Sequence, residues 1–462
     1  MIVFEPVYTD SLAQISYLVG DSKAAVAAVI APRRDIDIYL QMAKARGLRI
    51  AYAIETHIHA DFVSGAQALA KRTGAQIIGG RADNYEFELR QVSGGETIEL
   101  GQATLQVMYT PGHTPEHISL QLFDAQQGDQ PIALFTGDTL FNLDVGRPDL
   151  LGEGSERKLA GALYHTLFDQ YLPLGDRIEI YPCHGAGSAC GKSIGDRRHS
   201  TLGSERLFNP ALREQRSEDE FIDWLLADMP EPPRHYARLK KLNLRPAVQI
   251  EGPALPPPLA PSDFEALAAH DMQVVDVRSI LAFGGGHVPG AVNIALRNEF
   301  VNWAGWMLDD ARPILLVGES ADDVHQAVTQ LYRIGLDDIR GYLRNGMTDW
   351  QNAALPLNRL QEWTVHELNA RRETPDVQVL DVRSPQEVAA GRVPGARHIF
   401  VAHLADRLNE LDPDKTTVTY CGSGYRASIA ASILKKAGFR DVANVPGSWM
   451  AWKAANLPVQ EG

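Results

Sequence analysis

The sequence predicts an α/β protein with more than one domain. Its 462 residues exceed what a single hydrophobic core usually serves. The C-terminal part also repeats itself, because VVDVRSILAFGGGHVPGAVNIAL at 274–296 matches VLDVRSPQEVAAGRVPGARHIFV at 379–401, an offset of 105 residues. In each copy a short apolar run precedes a helical pattern, and this order of strand and helix is typical of a parallel sheet.

The first 250 residues differ from these copies, because they hold many short β-rich runs. Helical patterns lie between the runs, for example at 64–73 and 155–170. The predicted strands are QISYLVG, AAVAAVIA, RIAYAIET, AQIIGG, ATLQVMYTPG, IALFTGD and RIEIYPCHG. Several of these runs end in His or Asp, and residues on loops after strand ends commonly carry the chemistry of such folds.

A proline-rich segment separates the two parts. EGPALPPPLAP at 251–261 cannot continue a helix or a central strand, so it is interpreted as a linker. The predicted domains are therefore 1–250, 262–355 and 362–462. The last two are related copies of about domain size.

Composition narrows the class of protein. Apolar residues make up 45% and charged residues 22%, as in globular proteins that are not embedded in membranes. The net charge of −14 argues against nucleic acid and against an anionic membrane surface as partners. No apolar run reaches the ~18 residues of a membrane span, and the first residues lack the features of a signal peptide. Three cysteines do not form a disulfide framework, so we expect a reduced, cytoplasmic protein.

A group of imidazoles and carboxylates at the strand ends predicts a metal site. ETHIHADFVSG at 55–65 places His57, His59 and Asp61 at alternate positions. Other strand ends contribute His113, Asp138 and His184. The remaining histidines of this part that we interpret as structural or surface residues are His117, His165 and His199.

These motifs, in this order, resemble the metallo-β-lactamase superfamily over about the first 200 residues. The resemblance implies an αββα sandwich with metals at one sheet edge. In the hydrolases of glyoxalase II type, the pattern would give one metal to His57, His59 and His113. A second metal would go to Asp61, position 62 and His184, with Asp138 bridging the two.

Phe62 departs from that pattern, because a phenyl ring has no lone pair to donate. A second metal should therefore bind poorly. Two imidazoles and a carboxylate on one face, with open positions, form the facial triad of non-haem Fe(II) oxygenases. Zinc prefers a closed four-coordinate site.

The motifs THIHADFVSG, GRPDLLG, HGAGSACGK and STLGSERLFNP resemble the iron-dependent persulfide dioxygenases. This resemblance implies one Fe(II) per chain, held by His57, His113 and Asp138. It also implies that three further residues orient the ligands and hold water, namely His59, Asp61 and His184. Human-type members keep a histidine at position 62 outside the iron ligands, so its loss is compatible with one iron.

Arg147, in DVGRPDLLG, has two interpretations. It is a structural arginine, or its guanidinium holds a substrate carboxylate or the sulfite product. Cys183 and Cys190 are interpreted as buried, passive thiols.

TTVTYCGSGYRASIAA predicts a strand, a loop from Cys421 to Arg426, and a helix. Glycines in such a loop let backbone N–H groups turn inward at a helix N-terminus, which favours the nucleophilic thiolate. The pattern resembles the rhodanese active site over 362–462. That resemblance implies a persulfide on Cys421, held by Arg426 and by the loop residues Gly422, Ser423, Gly424 and Tyr425.

The first copy carries VGESADDVHQ at the equivalent loop. Gly318 stands where Cys421 stands in the other copy, and acidic side chains follow it. We therefore predict that 262–355 is an inactive rhodanese domain that serves as a spacer or docking surface.

The order of domains resembles the multidomain persulfide dioxygenase–sulfurtransferases. It implies oxidation of a small thiol persulfide by O2 to sulfite, and sulfur transfer through Cys421 to give thiosulfate, in sulfide detoxification. Symmetric homo-oligomers are common among such enzymes. One alternative is a binuclear zinc thioester hydrolase, which Phe62 disfavours. Another is a sulfur-relay or sensor scaffold with a structural metal. The thiol that carries the persulfide stays open.

Overall fold

The N-terminal part contains two six-stranded sheets. The computed structural model describes residues 1–152, 154–248 and 251–461, so the predicted boundary at residue 250 lies outside the described residues. The strands of the first sheet are β1 (Ile2–Thr9), β2 (Gln14–Asp21), β3 (Val26–Ile30), β4 (Arg49–Ile54), β5 (Gln76–Gly80) and β6 (Arg90–Val92). They lie in chain order, antiparallel from β1 to β3 and parallel from β3 to β6.

The second sheet has the order β14-β13-β10-β9-β8-β7, with β10 and β13 parallel. Its strands are β7 (Thr97–Leu100), β8 (Ala103–Tyr109), β9 (Ile118–Asp124), β10 (Ala133–Gly137), β13 (Glu179–Pro182) and β14 (Ser200–Thr201), and a small hairpin is formed by β11 (Leu140–Phe141) and β12 (Asp144–Val145). The helices of this part are α1 (Asp37–Ala45), α2 (Ala66–Thr73), α3 (Glu156–His165), α4 (Leu202–Phe208), α5 (Pro210–Arg213), α6 (Glu218–Leu226) and α7 (Tyr236–Leu244).

Apolar side chains on the facing sides of the two sheets form the central core. Tyr17 of the first sheet and Phe135 of the second pack with ring centroids 5.1 Å apart. A separate apolar cluster lies between the first sheet and the helices α1 and α2, and another lies between the second sheet and the helices α3 and α6. The prediction of an αββα sandwich is confirmed.

The two C-terminal copies each contain a parallel sheet of five strands in the same order. The first copy has β15 (Pro258–Leu259), β16 (Gln273–Asp276), β17 (Val292–Asn293), β18 (Ile314–Val317) and β19 (Ile339–Leu343), with α8 (Pro261–Ala268), α9 (Ile280–Gly285), α10 (Phe300–Met307), α11 (Ala321–Arg333) and α12 (Gly346–Asn352). The second copy has β20 (Gln361–Glu362), β21 (Val377–Asp381), β22 (Arg397–His398), β23 (Thr416–Tyr420) and β24 (Val442–Asn444), with α13 (Val365–Arg371), α14 (Pro385–Ala389), α15 (Tyr425–Lys436) and α16 (Ser448–Ala454). The predicted parallel sheets are confirmed.

The end of the predicted linker is part of the first of these sheets. Pro258 and Leu259 form the edge strand β15, and α8 begins at Pro261. The carbonyl groups of Pro257 and Leu259 accept the hydrogen bonds from β19 and the residue after it, so this edge needs no N–H from a proline.

The described residues separate into two units, one with Met1–Pro253 and Tyr332–Gly335, the other with Ala254–Leu331 and Leu336–Gly462. Among the described residues, none of the helices is both long and apolar enough to cross a membrane.

Candidate metal centre and cysteine loop

The predicted metal-binding residues follow the ends of four strands. His57, His59 and Asp61 come after β4, His113 lies between β8 and β9, Asp138 follows β10, and His184 follows β13. Gly137 ends β10 with a φ of +53°, and a Cβ atom there would lie 2.4 Å from the Nε2 atom of His117. Glycine therefore lets the chain turn at the point where Asp138 enters the site.

Three of these residues form a compact triad. One ligand atom from each of His57, His113 and Asp138 lies within 4.8 Å of the other two. The Asp138 Oδ2 atom is 3.7 Å from His57 Nε2 and 3.6 Å from His113 Nε2. All three are buried, and the His57 Nε2 atom and both Asp138 oxygens have no hydrogen-bond partner among the described residues. Buried polar atoms without partners are costly, and a bound cation would satisfy them.

The other nitrogen of each imidazole is fixed by the protein. The Nδ1 atom of His113 donates to the backbone carbonyl of Arg147 at 2.8 Å, and His57 Nδ1 lies 3.0 Å from the Thr56 hydroxyl. Because a carbonyl can only accept, the contact with Arg147 leaves the Nε2 lone pair of His113 directed toward Asp138.

His117 holds the backbone of Asp138, the carboxylate residue of the triad. Its Nε2 atom accepts a hydrogen bond from the backbone N–H of Asp138 at 3.0 Å, and its Nδ1 atom contacts the Thr110 hydroxyl at 2.9 Å. Burial lowers the pKa of His117 to about 3, which keeps the ring neutral. This agrees with its interpretation as a structural histidine.

Burial and neighbouring side chains keep the triad residues in the protonation states that bind a metal ion. Burial, reinforced by the neighbouring imidazoles, lowers the pKa of His57 well below its ordinary value. Burial opposes ionisation of Asp138, but the surrounding histidines outweigh it and hold the pKa of this carboxyl below its usual range. The set is therefore two neutral imidazoles and one carboxylate, which fits a divalent cation.

A second group of ligand atoms lies beside the triad. One atom from each of Asp61, His184 and Cys190 lies within 4.8 Å of the other two. His184 Nε2 is 3.3 Å from Asp61 Oδ2 and 3.5 Å from Asp138 Oδ2. Burial, with the charges of Asp61 and Asp138, raises the pKa of the Cys190 thiol well above its ordinary value.

Phe62 contributes packing and no ligand atom. It is fully buried, and its ring centroid lies 4.4 Å from that of His59. The Nε2 atom of His59 lies 3.3 Å from the carboxylate of Glu55, outside both groups of ligand atoms.

Arg147 lies at the edge of the candidate metal centre, and its guanidinium is hydrogen-bonded to other groups of the protein. It makes two hydrogen bonds to the carboxylate of Asp149, at 2.8 and 2.7 Å, and further ones to the carbonyls of Ala189 and Pro230. These contacts are typical of a structural arginine, and its role in substrate binding stays a prediction. Its backbone carbonyl holds His113.

Two residues near the centre lie outside the sequence motifs. Tyr236, the first residue of α7, is buried and packs in the same apolar cluster as Cys190. Cys190 is buried as expected, and its passive role stays a prediction. Neither residue lies in a periodic pattern with the histidines, so only the fold brings them to the site.

The cysteine loop follows β23 as predicted. The backbone N–H of Gly424 donates to Cys421 Sγ at 3.1 Å, and Gly424 has a φ of +102°. The Ser448 hydroxyl accepts from the N–H of Cys421 at 3.1 Å, and the N–H of Trp449 donates to its carbonyl at 2.9 Å. These bonds hold the loop against the start of α16. The roles of Gly422, Ser423 and Tyr425 in binding a substrate stay predictions.

Arg426 is held beside the thiol by a carboxylate. Its two terminal nitrogens donate to Glu387 at 2.5 and 2.7 Å. Burial opposes ionisation of Glu387, but the hydrogen bonds from Arg426 outweigh it and lower the pKa of Glu387 to about 2. An ionised pair therefore stands next to Cys421.

The first copy has a different loop at the same place. Gly318 follows β18, and a Cβ atom there would lie 3.0 Å from Val324 Cγ2. Asp323 takes a hydrogen bond from the Ser320 hydroxyl at 2.8 Å and stands where Arg426 stands in the second copy. The loop therefore presents a carboxylate where the other presents a guanidinium.

The two copies contact each other through α15, the helix that begins at the cysteine loop. The Tyr425 hydroxyl donates to the carbonyl of Ala295 at 2.7 Å. The Ser428 hydroxyl donates to Asn293 Oδ1 at 2.6 Å, and the N–H of Asn293 donates to the Ser432 hydroxyl at 3.1 Å. The first copy thus fixes the start of the helix that follows the cysteine loop.

Comparison with known families agrees with this architecture. The model of the metallo-beta-lactamase superfamily matches residues 28–184, and the model of the rhodanese-like domain matches residues 261–353 and 364–455.

Individual relatives point to the same domains. The mitochondrial persulfide dioxygenase ETHE1 of Mus musculus is 32% identical over 213 residues, which are 45% of this chain and 74% of that protein. A hydroxyacylglutathione hydrolase of Polaromonas sp. is 30% identical over 277 residues, which are 52% of this chain and 99% of that protein.

A crystal structure of a metallo-beta-lactamase from Staphylococcus aureus, 37% identical, covers 74% of this chain and 99% of its own with a TM-score of 0.68. The chain therefore belongs to the metallo-beta-lactamase superfamily, with a domain homologous to the persulfide dioxygenases followed by two rhodanese-like domains.

Proposed function

We propose that this chain is a non-haem iron persulfide dioxygenase coupled to a rhodanese sulfurtransferase. The observation that carries the proposal is the buried triad of His57, His113 and Asp138, whose two imidazoles and one carboxylate would hold Fe(II) as a facial triad. The similarity to ETHE1 supports the reaction. The substrates would be a small thiol persulfide and O2, and the products would be the thiol and sulfite.

In the first reaction, R–S–SH, O2 and H2O give R–SH, SO3²⁻ and two protons. Ferrous iron supplies the chemistry that brings sulfur and dioxygen together. The protein's part is to hold two neutral imidazoles and one carboxylate in a buried site. The contacts of His113 with Arg147 and of Asp138 with His117 keep these side chains in place before the substrate arrives.

In the second reaction, the Cys421 thiolate attacks the outer sulfur of a persulfide and releases R–S⁻. The new S–S bond on Cys421 is then attacked by sulfite, which leaves as thiosulfate and restores the thiolate. The Gly424 N–H beside Sγ and the Arg426 guanidinium are placed to hold the anionic groups. We propose that 262–355 takes no direct part in sulfur transfer.

The decisive experiment is oxygen uptake with a series of persulfides, combined with elemental analysis of the same protein. We expect one iron per chain and uptake that His113→Ala abolishes. Two zinc ions per chain, or no uptake with any persulfide, would contradict the proposal.

A thioester hydrolase is the second candidate, because the similarity to hydroxyacylglutathione hydrolase spans 99% of that protein. Phe62 counts against it, since a binuclear site would lack one imidazole there. Hydrolysis of a glutathione thioester by the zinc-loaded protein, at rates above those of persulfide oxidation by the iron-loaded protein, would favour this candidate.

A further inference from the structure

The segment that joins the two rhodanese-like copies pairs with both of them. Asn358 exchanges two backbone hydrogen bonds with His287 of the first copy, at 2.9 and 3.0 Å. The N–H of Leu360 donates to the carbonyl of Gly284, also in the first copy, at 3.0 Å. Two residues later Glu362 lies in β20, whose partner in the second sheet is β24. The chain therefore passes from one copy to the other at Glu362.

The carboxyl group of Glu362 lies between the two copies with few polar contacts. Its Oε2 atom accepts a hydrogen bond from Asn444 Nδ2 at 3.3 Å. A Cβ atom at Gly284, the penultimate residue of α9, would overlap its Oε1 atom, so glycine is what lets the carboxyl pack against this helix. Glu362 Oε1 and Asn444 Oδ1 are both buried, and neither has a hydrogen-bond partner among the described residues.

No charged side chain in the described part of the chain pairs with this carboxylate. The two elements that pack against β20 are α9 and β24, and neither contains an ionisable residue. After α9 comes His287, whose Nδ1 atom donates to the carbonyl of Phe283 and whose pKa is lowered by burial to about 4, so its ring is neutral. Before α9 comes Arg278, which is bound to Asp276.

One proton would supply the donor that both unpartnered oxygens lack. A protonated carboxyl can accept from Asn444 Nδ2 through one oxygen and donate to Asn444 Oδ1 through the other. Ionisation removes the second of these bonds and leaves a poorly solvated charge, which is unfavourable. Burial accordingly raises the pKa of Glu362 to about 7, and the hydrogen bond from Asn444 offsets only part of this rise.

The helix α9 extends from Glu362 to the cysteine loop. Gly284, near its end, packs against the carboxyl of Glu362. At its start, Ile280 Cδ1 lies 3.2 Å from the place that a Cβ atom of Gly424 would take. We propose that Glu362 is a proton-controlled latch, which when protonated holds α9 of the first copy against β20 and β24 of the second, and when ionised loosens this contact and exposes Cys421. Ionisation breaks only the O–H bond and releases the proton to solvent.

The latch has a defined pH dependence. The pKa of Glu362 in the folded protein lies above the ordinary value of 4.5, so the folded protein binds this proton more tightly than the unlatched one. The stabilisation is therefore fully present below about pH 4.5 and is lost as the pH rises through about 7. Between about pH 6 and pH 8, the opening equilibrium should rise about 10-fold.

The test is hydrogen exchange of the full chain without substrate, compared at each pH with the variant Glu362→Gln. A glutamine can both accept from Asn444 and donate to it, so this variant should stay closed. For the amides of 284–288 and 358–362, we expect the ratio of wild-type to variant exchange rates to rise about 10-fold from about pH 6 to pH 8. Comparison at equal pH cancels the intrinsic pH dependence of exchange. The amides of β10, in the other compact unit, should keep a constant ratio.

Alkylation of Cys421, followed on its own peptide, is the second measurement. Cys421 is 1% exposed in the closed structure, so the ratio of wild-type to Glu362→Gln alkylation rates should also rise between these pH values. Glu373→Gln changes an exposed carboxylate of the same copy and is the matched control, which should behave as the wild type does.

Gly284→Ala provides a second variant should Glu362→Gln fail to fold. Its methyl group would displace the carboxyl, so exchange at 284–288 and 358–362 should be fast, and the wild-type rate relative to this variant should again rise about 10-fold. A constant exchange ratio at these amides, or a constant alkylation ratio at Cys421, would overturn the proposal. Neither measurement involves persulfide, oxygen or thiosulfate, so the proposal does not rest on the proposed function.

Discussion

At position 62 a phenyl ring lies 4.4 Å from the ring of His59, beside the side chains that we predict to bind the metal. Replacing it with histidine would add one nitrogen ligand next to Asp61 and His184. In protein loaded with iron alone, we expect Phe62→His to raise the iron content from one toward two per chain. Elemental analysis measures this, and Phe62→Leu is the matched control that should retain one. An unchanged iron content in Phe62→His would show that the ring is not what excludes a second iron.

A cysteine introduced at position 318 should not by itself give the first copy sulfurtransferase activity. In a Cys421→Ser background, we expect Gly318→Cys to show no thiosulfate turnover. Its Cβ atom would crowd Val324, and carboxylates such as Glu319 and Asp323 would raise the pKa of a thiol placed there. Restored turnover would mean that the acidic loop does not silence this copy.

The sequence identified the metal residues whose spacing forms a motif, and the structure brings His57, His113 and Asp138 together. Cys190 and Tyr236 could not be found in this way. Cys190 lies in the loop after β13 and Tyr236 begins α7, so their proximity depends on the fold and not on a periodic pattern. The ion pair between Arg147 and Asp149 likewise depends on a loop conformation that the sequence pattern does not predict.

Among the secondary-structure elements, α15 connects the cysteine loop to the first rhodanese-like copy. Tyr425→Phe would remove the hydroxyl that donates to Ala295, and we expect sulfur transfer to fall by about 2- to 10-fold. The rate of Cys421 alkylation as a function of pH should change as well, which loss of stability alone would not cause. Oxygen uptake should stay the same.

Tyr342→Phe is the matched control for this prediction, because it removes a hydroxyl from β19 in the inactive copy without touching α15. Equal sulfur-transfer rates in Tyr425→Phe and Tyr342→Phe would show that the contact does not position the loop.

Strands with regular apolar patterns were predictable, and the seven runs proposed from the sequence correspond to strands of the two sheets. The edge strand β15 was not, because prolines usually exclude a strand, and here the carbonyl groups of Pro257 and Leu259 accept hydrogen bonds from β19 and the residue after it. The helical pattern at 155–170 ends differently as well, since α3 continues into a π-helical turn at Thr166–Tyr171. Such details follow from packing against neighbours rather than from local preference.

At the scale of the whole molecule, one chain carries both a site expected to make sulfite and a loop expected to consume it. Tethering raises the local concentration of an intermediate, to about the millimolar range for short linkers. We expect Cys421→Ser to keep oxygen uptake, because no iron ligand changes, while its product shifts from thiosulfate to free sulfite. The ratio of sulfite to thiosulfate, measured with persulfide and oxygen, reports this directly.

The reciprocal variant is His113→Ala. It should lose oxygen uptake and retain sulfur transfer from added thiosulfate, because the cysteine loop belongs to the other compact unit of the chain. An unchanged product ratio in Cys421→Ser would show that the sulfite made at the iron has another consumer.

Because Arg426 is paired with Glu387, we expect the cysteine loop to bind doubly charged anions only weakly. A guanidinium free of partners would attract sulfite strongly and would also hold thiosulfate after it had formed. Here both carboxylate oxygens already share that charge, so an arriving anion gains only part of it. We therefore expect the resting loop to exchange such anions rapidly rather than to store them.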